Sequence, residues 1–229
     1  AKSDSNGKAT AQVTENQVKE AVNKAVEEAA KQGKGTAANV EIKVTASAEA
    51  KTVEASLPKA AFTAVADSKT DALTATTPVA TITFDKAAIT AISREATADV
   101  KITASKVNAS ELSEAAKTAV GDRPVFNFSV TSGNKTISQF GGRVTLSIPY
   151  TPAAGEDVNA IAVYYITANG ELETVMNGHY EASTGTVVFT TSHFSTYAVG
   201  YNKVSFSDVS TITWYTDAVT FLAARGITS

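Results

Sequence analysis

The sequence predicts an α+β protein dominated by antiparallel, sandwich-like β-sheets, with short helices inserted in the N-terminal half, a longer N-terminal helix and one further helix at the C-terminus. Three observations predict it. Apolar residues recur at three-to-four spacing over 14–33 and again over 218–223, the period of an amphipathic helix. Between residues 40 and 106 alternating segments are interrupted by short helical ones, and after Pro124 the alternation is broken only by turn residues. Strands that follow one another at short spacing describe a meander or sandwich, whereas a parallel βαβ chain would keep helices between them.

Taken in order, residues 1–10 are polar and aperiodic and are expected to be a mobile tail. Thr14 and Gln17 form a capping box ahead of Val18, Val22, Val26 and Ala29, and Gly33 closes that helix. The helix face is only valine and alanine, so it needs a larger surface to dock on. Val40, Ile42 and Val44 then alternate with polar residues, as do Val53, Ala55 and Leu57, and the two segments are expected to pair as a hairpin. An internal repeat follows. Leu57-Pro-Lys-Ala-Ala-Phe-Thr-Ala-Val matches Phe84-Asp-Lys-Ala-Ala-Ile-Thr-Ala-Ile, with Lys59 aligned to Lys86 and Thr63 to Thr90. Each copy reads as a strand entering a helix, with Pro58 or Asp85 at the helix start.

Residues 99–106 alternate again, and Asn108 with Glu111 predicts a capping box for a helix ending near Gly121. Strands are expected over 125–131, 143–148, 160–167, 171–175, 186–191 and 194–201, joined by turns at Ser132-Gly133-Asn134, Asn169-Gly170 and Ser183-Thr184-Gly185. The expected organisation is a tail over 1–10, an α+β part over 11–122, an antiparallel part over 123–202, and a terminal segment over 203–229. The second and third parts are compatible with a single domain.

Composition narrows the chemistry. With 229 residues, 43% hydrophobic and 19% charged, the chain is neither disordered nor collagen-like. It has no cysteine, which excludes thiolate nucleophiles, disulfides and cysteine-ligated metals. A net charge of −3 and a pI near 5.5 argue against a nucleic-acid partner, whose phosphates require clustered cations. No apolar run reaches the roughly 20 residues needed to cross a bilayer. No cofactor and no metal are expected. His179 stands alone in a turn, and Glu156, Asp157 and Asn159 lack the oxygen spacing of a calcium loop.

The terminal segment carries a family likeness. Val204-Ser-Phe-Ser-Asp-Val, followed by Trp214-Tyr-Thr-Asp-Ala-Val-Thr-Phe-Leu-Ala-Ala-Arg-Gly-Ile-Thr-Ser, resembles the opening half of a surface-layer homology (SLH) repeat, in Phe206, Asp208, Val209, Trp214, Ala218, Leu222, Gly226 and Ile227. The resemblance covers about a tenth of the chain and lacks the family's second helix. It implies an extracellular protein of the bacterial cell wall or S-layer, held on secondary cell-wall polysaccharide through complete SLH repeats. Asp208, Trp214, Gly226, Ile227 and Thr228 are the positions carried over as glycan contacts; alternatively Trp214 is only the core anchor of the repeat. Residues from about 70 to 201 also look like the module that precedes SLH repeats in large surface glycosidases and adhesins, through Gly121-Asp-Arg-Pro-Val, Phe140-Gly-Gly-Arg-Val, Ala162-Val-Tyr-Tyr and Phe189-Thr-Thr-Ser-His-Phe-Ser-Thr-Tyr. That likeness implies a non-catalytic connector or spacer.

Two other readings stay open. His193-Phe194-Ser195 resembles the cleavage tripeptide of ZU5-type domains: Ser195 would attack the Phe194 carbonyl while His193 takes its proton. The plain alternative is a strand that starts at Phe194. The many tyrosines suggest a carbohydrate-binding platform, although strand alternation sends Tyr164 and Tyr165 to opposite faces.

Overall fold

Thr14 closes its capping box as the sequence predicts. Its hydroxyl accepts from the Gln17 amide while the Gln17 side chain takes the Thr14 amide, and helix α1 (Glu15–Gln32) follows, burying Val18 and Val22. The computed structural model describes residues 1–47, 49–209 and 213–228. Among them the chain forms five α-helices and fourteen β-strands in two open sheets. One sheet has the order β1 (Lys8–Gln12), β3 (Thr52–Leu57), β6 (Val100–Val107), β7 (Val125–Ser132), β14 (Thr196–Tyr201), β10 (Ile161–Ile166) and β11 (Leu172–Thr174), with β8 (Lys135–Thr136) added to β7. The other has the order β12 (His179–Glu181), β13 (Thr186–His193), β9 (Gln139–Pro149), β5 (Thr81–Asp85), β4 (Ala72–Thr76) and β2 (Asn39–Lys43). Contacts divide the chain into two units, the first made of residues 1–105, 128–146 and 190–194, the second of the remaining segments.

In the first unit the internal repeat becomes a pair of crossovers. Strand β3 leads through α2 (Lys59–Asp67) to β4 in the other sheet, and β5 leads through α3 (Lys86–Glu95) back to β6. The pairs are closed crosswise, β3 antiparallel to β6 and β4 antiparallel to β5. Phe62 and Val65 on one helix, and Ile89 and Ile92 on the other, are buried as the apolar stripes predict. The two copies have diverged at their starts. Asp85 caps α3 by accepting from the Ala88 amide at 2.8 Å, whereas Pro58 offers no side-chain cap. Lys86 has taken a second task, its ammonium donating to the carbonyls of Ala66 and Ser68 at 2.5 and 2.6 Å and so neutralising the C-terminal end of α2. The core of this unit is aromatic. Phe194 lies 4.7 Å from Phe140, 5.7 Å from Phe84 and 5.8 Å from Phe128, so one ring joins residues from both sheets.

Gly142 fixes a close approach in the same unit. A Cβ there would lie 2.2 Å from the Ala88 nitrogen and 2.5 Å from an Asp85 oxygen, so β9 passes directly over the start of α3. Asp85 serves both elements, because its second oxygen accepts from the Arg143 amide at 2.9 Å. Gly141 before it, inside β9, has φ of 59°, a left-handed backbone that glycine adopts without strain.

In the second unit β10 is flanked antiparallel by β11 and β14. Thr167–Gly170 turns the β10–β11 hairpin, with the Gly170 amide donating to Thr167 at 2.9 Å and Gly170 at φ 78°. Helix α4 (Glu114–Val120) contributes Val120 to a cluster with Val125, Ile166 and Ala198, against which Tyr164 packs.

Several expectations are corrected. Strands β2 and β3 do not form a hairpin: β2 pairs parallel with β4, and β3 sits between β1 and β6 in the other sheet. Alternation reports which face is buried and carries no information about the partner. The sheets are therefore mixed, with parallel pairs β1–β3 and β2–β4 among the antiparallel ones. Residues Lys8–Gln12 belong to strand β1, although the first ten residues read as an aperiodic tail. What holds them is backbone pairing to β3 and an ion pair at 2.7 Å between Lys8 and the buried Glu54. The helix expected after Asn108 is split. Asn108 and Glu111 frame a 3-10 turn, and α4 starts three residues later on a new cap, Ser113, which accepts from the Ala116 amide.

Because the space at Gly142 is filled by backbone, Gly142→Ala is expected to lower unfolding free energy by about 3 kcal/mol, from overpacking plus loss of the Asp85 cap. Denaturant titration against the wild type measures it, and an unchanged midpoint would show that β9 does not press on α3 as described.

Candidate functional site

The SLH-like segment is built around one arginine. Helix α5 (Thr216–Ala224) ends in a Schellman motif: the Gly226 amide donates to Ala223, the Ile227 amide to Leu222, and Gly226 takes φ of 66°. Arg225, at the cap, is only 1% exposed. Its Nε donates to Gly178 at 2.8 Å, Nη1 to Phe221 at 2.7 Å and Asn159 at 3.1 Å, and Nη2 to Ile161 at 3.1 Å. The guanidinium carbon also sits 3.4 Å from the centre of the Phe221 ring. All four acceptors are backbone carbonyls, and burial pushes the guanidinium pKa down to about 10, so it stays protonated at neutral pH. Asn202 adds a side-chain bond to the Ala224 carbonyl at 3.1 Å. The helix is thereby fastened to the rest of the second unit by its C-terminal end.

This fastening sets the helix rotation. The expected apolar stripe of Ala218, Val219, Leu222 and Ala223 is split: Ala223 is buried, with Thr220 and Ala224, and Val219 is half-buried, while Ala218 and Leu222 face solvent. Trp214 is 94% exposed, its ring edge-on to Tyr215 at 5.5 Å, so among the described residues no core encloses it. Asp208, Gly226, Ile227 and Thr228 are exposed as well. Among the described residues no hydrogen bond, ion pair or ring contact joins any two of these five positions. Arg225 escaped the sequence reading, because an arginine next to a terminal glycine has the pattern of a solvated cation at a helix C-terminus.

At the His193-Phe194-Ser195 tripeptide the three residues have separate surroundings. His193 ends β13, with Nδ1 3.3 Å from the Thr191 hydroxyl; that hydroxyl donates to the His193 carbonyl at 2.9 Å and accepts from its amide at 3.2 Å. Phe194 is the aromatic centre of the first unit, and its amide donates to the Ser138 carbonyl. Ser195 is half-buried on the side of the second unit. No non-glycine residue of the described chain has positive φ.

The loop acids are committed to internal partners. Glu156 receives the Tyr150 hydroxyl at 2.7 Å, the Ala153 amide at 2.9 Å and Arg123 Nε at 2.9 Å, while Arg123 also lies 5.0 Å from the Tyr201 ring centre. Burial alone would raise the Glu156 carboxyl, but the Tyr150 hydroxyl, the Ala153 amide and the Arg123 charge outweigh it and hold the group below the usual carboxylate range. Tyr150 moves the other way, pushed up to about 12 by burial and by the adjacent carboxylate. Asp157 accepts from the Asn159 amide and pairs with Lys203 at 3.4 Å. His179 Nδ1 lies 3.2 Å from its neighbour Asn177's carbonyl. Among the described residues no three His, Cys, Asp or Glu side chains are placed to hold a metal ion. Of the tyrosines, Tyr197 is buried with its ring 5.8 Å from that of Tyr165, Tyr164 packs on the α4 cluster, and Tyr201 accepts from the Asp157 amide.

Comparison with known proteins adds one similarity. Over 96 residues, 40% of this chain, the sequence is 33% identical to an amylopullulanase of Thermoanaerobacterium thermosulfurigenes, and the matched stretch is 5% of that protein. No protein-family profile and no solved structure matches the chain. None of the described helices is long and apolar enough to cross a membrane.

Two outcomes follow from this geometry. Arg225→Ala removes four bonds and leaves buried carbonyls without a donor, so stability of the second unit falls by roughly 3 kcal/mol, while Arg225→Lys recovers only part because an ammonium lacks the planar fork. Denaturant unfolding, with amide exchange at Ile227, reads both. Glu156 contributes stability that is fully present above its unfolded pKa of 4.5 and is lost as pH falls through its lower folded value. Glu156→Gln is therefore expected to flatten the acid limb of stability against pH below 4.5, and an unchanged limb would remove Glu156 from that role.

Proposed function

We propose that this chain is a non-catalytic spacer of a secreted bacterial surface protein, linking upstream domains to SLH repeats that hold cell-wall polysaccharide. The observation that carries the reading is the match itself: a stretch amounting to 5% of a much longer protein recurs here, as expected of a module that travels apart from the rest of its host. The internal commitment of the ionisable groups supports it. Arg123, Glu156, Tyr150 and Arg225 are spent on holding the second unit together, which suits a part that bears load and transforms nothing.

A glycan-contact reading of the terminal segment has its own support in Trp214. An indole that is 94% exposed loses little on leaving water against a sugar face and has gained nothing from its own core. In this reading Trp214 carries the contact and Asp208 and Thr228 supply polar partners, while firm retention needs the complete repeats.

Incubation with pullulan or amylopectin is expected to release no new reducing ends, and sustained release would overturn the spacer reading. Intact-mass measurement on fresh and aged protein is expected to give one species. Two fragments broken after Phe194, abolished by Ser195→Ala, would establish self-cleavage instead. For the glycan reading, co-sedimentation with purified wall polysaccharide should be weak and should disappear in Trp214→Ala.

A further inference from the structure

An open sheet edge is where a folded chain can still form backbone hydrogen bonds with another strand. The two sheets of this chain end in β1, β11, β12 and β2. Strands β11 and β12 have only three residues each, and the edge of β1 is taken where Ser3 bridges Ala9 in antiparallel fashion. Strand β2 has five residues and lies wholly within the first unit. One side of it pairs with β4, and the Val44 amide extends that pairing by donating to the Thr76 carbonyl at 2.8 Å. Backbone groups alternate sides along a strand, so Val40, Ile42 and Val44 turn theirs toward β4 while Glu41 and Lys43 turn theirs outward. Among the described residues no backbone hydrogen bond meets Glu41 or Lys43 on that outer side. The free edge stops at Thr45, whose carbonyl accepts from the Ala1 amino group.

The side chains of this edge are self-complementary about Ile42. Val40 and Val44 stand symmetrically to either side of it, and Glu41 and Lys43 flank it with opposite charges. The three apolar residues are buried and the two charged ones exposed, so the two kinds lie on opposite faces of the sheet. The Glu41 carboxylate accepts from the Thr76 hydroxyl at 2.6 Å, which holds it on the outer face. Two copies of β2 set antiparallel and centred on Ile42 place valine opposite valine and each Glu41 opposite a Lys43, and the outward backbone groups of those charged residues then exchange both of their N–H···O bonds. No other register brings the two charges together. Centring on Glu41 or on Lys43 opposes like charges, and a shift by one residue sets outward backbone groups against inward ones. Charged side chains ordinarily guard an edge against strand addition. Here their order rejects other alignments and fits a copy of the same strand.

We propose that the free edge of β2 is an interface with a second copy of this chain, in a twofold antiparallel pair that sets Ile42 on Ile42 and Glu41 of each copy against Lys43 of the other. The pairing is weak. Val40, Ile42 and Val44 are already buried within one copy, so little apolar area is left to gain, and the ladder bonds with the exposed ion pairs carry the contact. A dissociation constant on the order of 100 μM suits so small an interface. The pairing involves neither Trp214 nor the second unit and is independent of the spacer reading.

Sedimentation velocity of the whole chain from roughly 10 μM to 1 mM is expected to show a monomer–dimer equilibrium, and the amides of Glu41 and Lys43 should gain protection from exchange as the dimer fills. Glu41→Lys sets lysine against lysine and Lys43→Glu sets glutamate against glutamate, so each alone should weaken pairing about tenfold or more. An equimolar mixture of the two variants restores both opposite-charge pairs and should dimerise with an affinity within about threefold of the wild type, an outcome that misfolding of either variant cannot imitate. The chain carrying both reversals should likewise pair with itself. A monomer throughout the concentration range would overturn the proposal. So would a dimer that either single reversal leaves intact, protection centred outside β2, or a mixture of the two variants that stays monomeric. The spacer reading stands or falls on the absence of glucan cleavage, which none of these outcomes measures.

Discussion

A single buried cation organises the end of this chain. Arg225 brings a charge into the second unit and donates to the carbonyls of residues 159, 161, 178 and 221, so the cost of dehydrating the guanidinium is met by dipoles and by the Phe221 ring. Asn159 and Ile161 lie at the turn into β10 and Gly178 precedes β12, so one planar group ties the end of α5 to two other stretches of chain. A lysine would present a point charge to the same carbonyls and could not match their fan. The helix that looks like part of a separate repeat is, physically, a component of the second unit.

The first unit depends on a different economy. Phe194 supplies one ring to three others drawn from both sheets, and the duplicated strand-helix elements carry the chain across between those sheets in opposite directions. Duplication explains why the helices share a stripe, and divergence explains why only one copy kept an acidic cap. Lys86, conserved between the copies as Lys59, ties one helix end in one copy while its counterpart remains exposed.

Local features were legible in the sequence and pairings were not. The Thr14–Gln17 box, the Asn169-Gly170 turn, the left-handed Gly226 and the stripes of α2 and α3 each depend on neighbours a few residues away, and each is found. The partners of β2 and β3 depend on residues some thirty to fifty positions distant, and alternation is blind to that distance. Strand β3 also breaks the alternation rule, since Glu54 and Ser56 are buried on the face that polar residues mark as outer. For the site, Arg225 fastens the end of α5 and leaves Ala218 and Leu222 of the expected stripe facing outward. No residue type in that segment announces it.

The interleaving of segments has a practical corollary. Each unit is assembled from three separate stretches of polypeptide, and β6, β7, β9 and β13 are each divided between the two. No single scission of the backbone can therefore release either one whole. A nick would leave severed strands behind, and a subclone ending at any one boundary would lack part of the unit it was meant to contain.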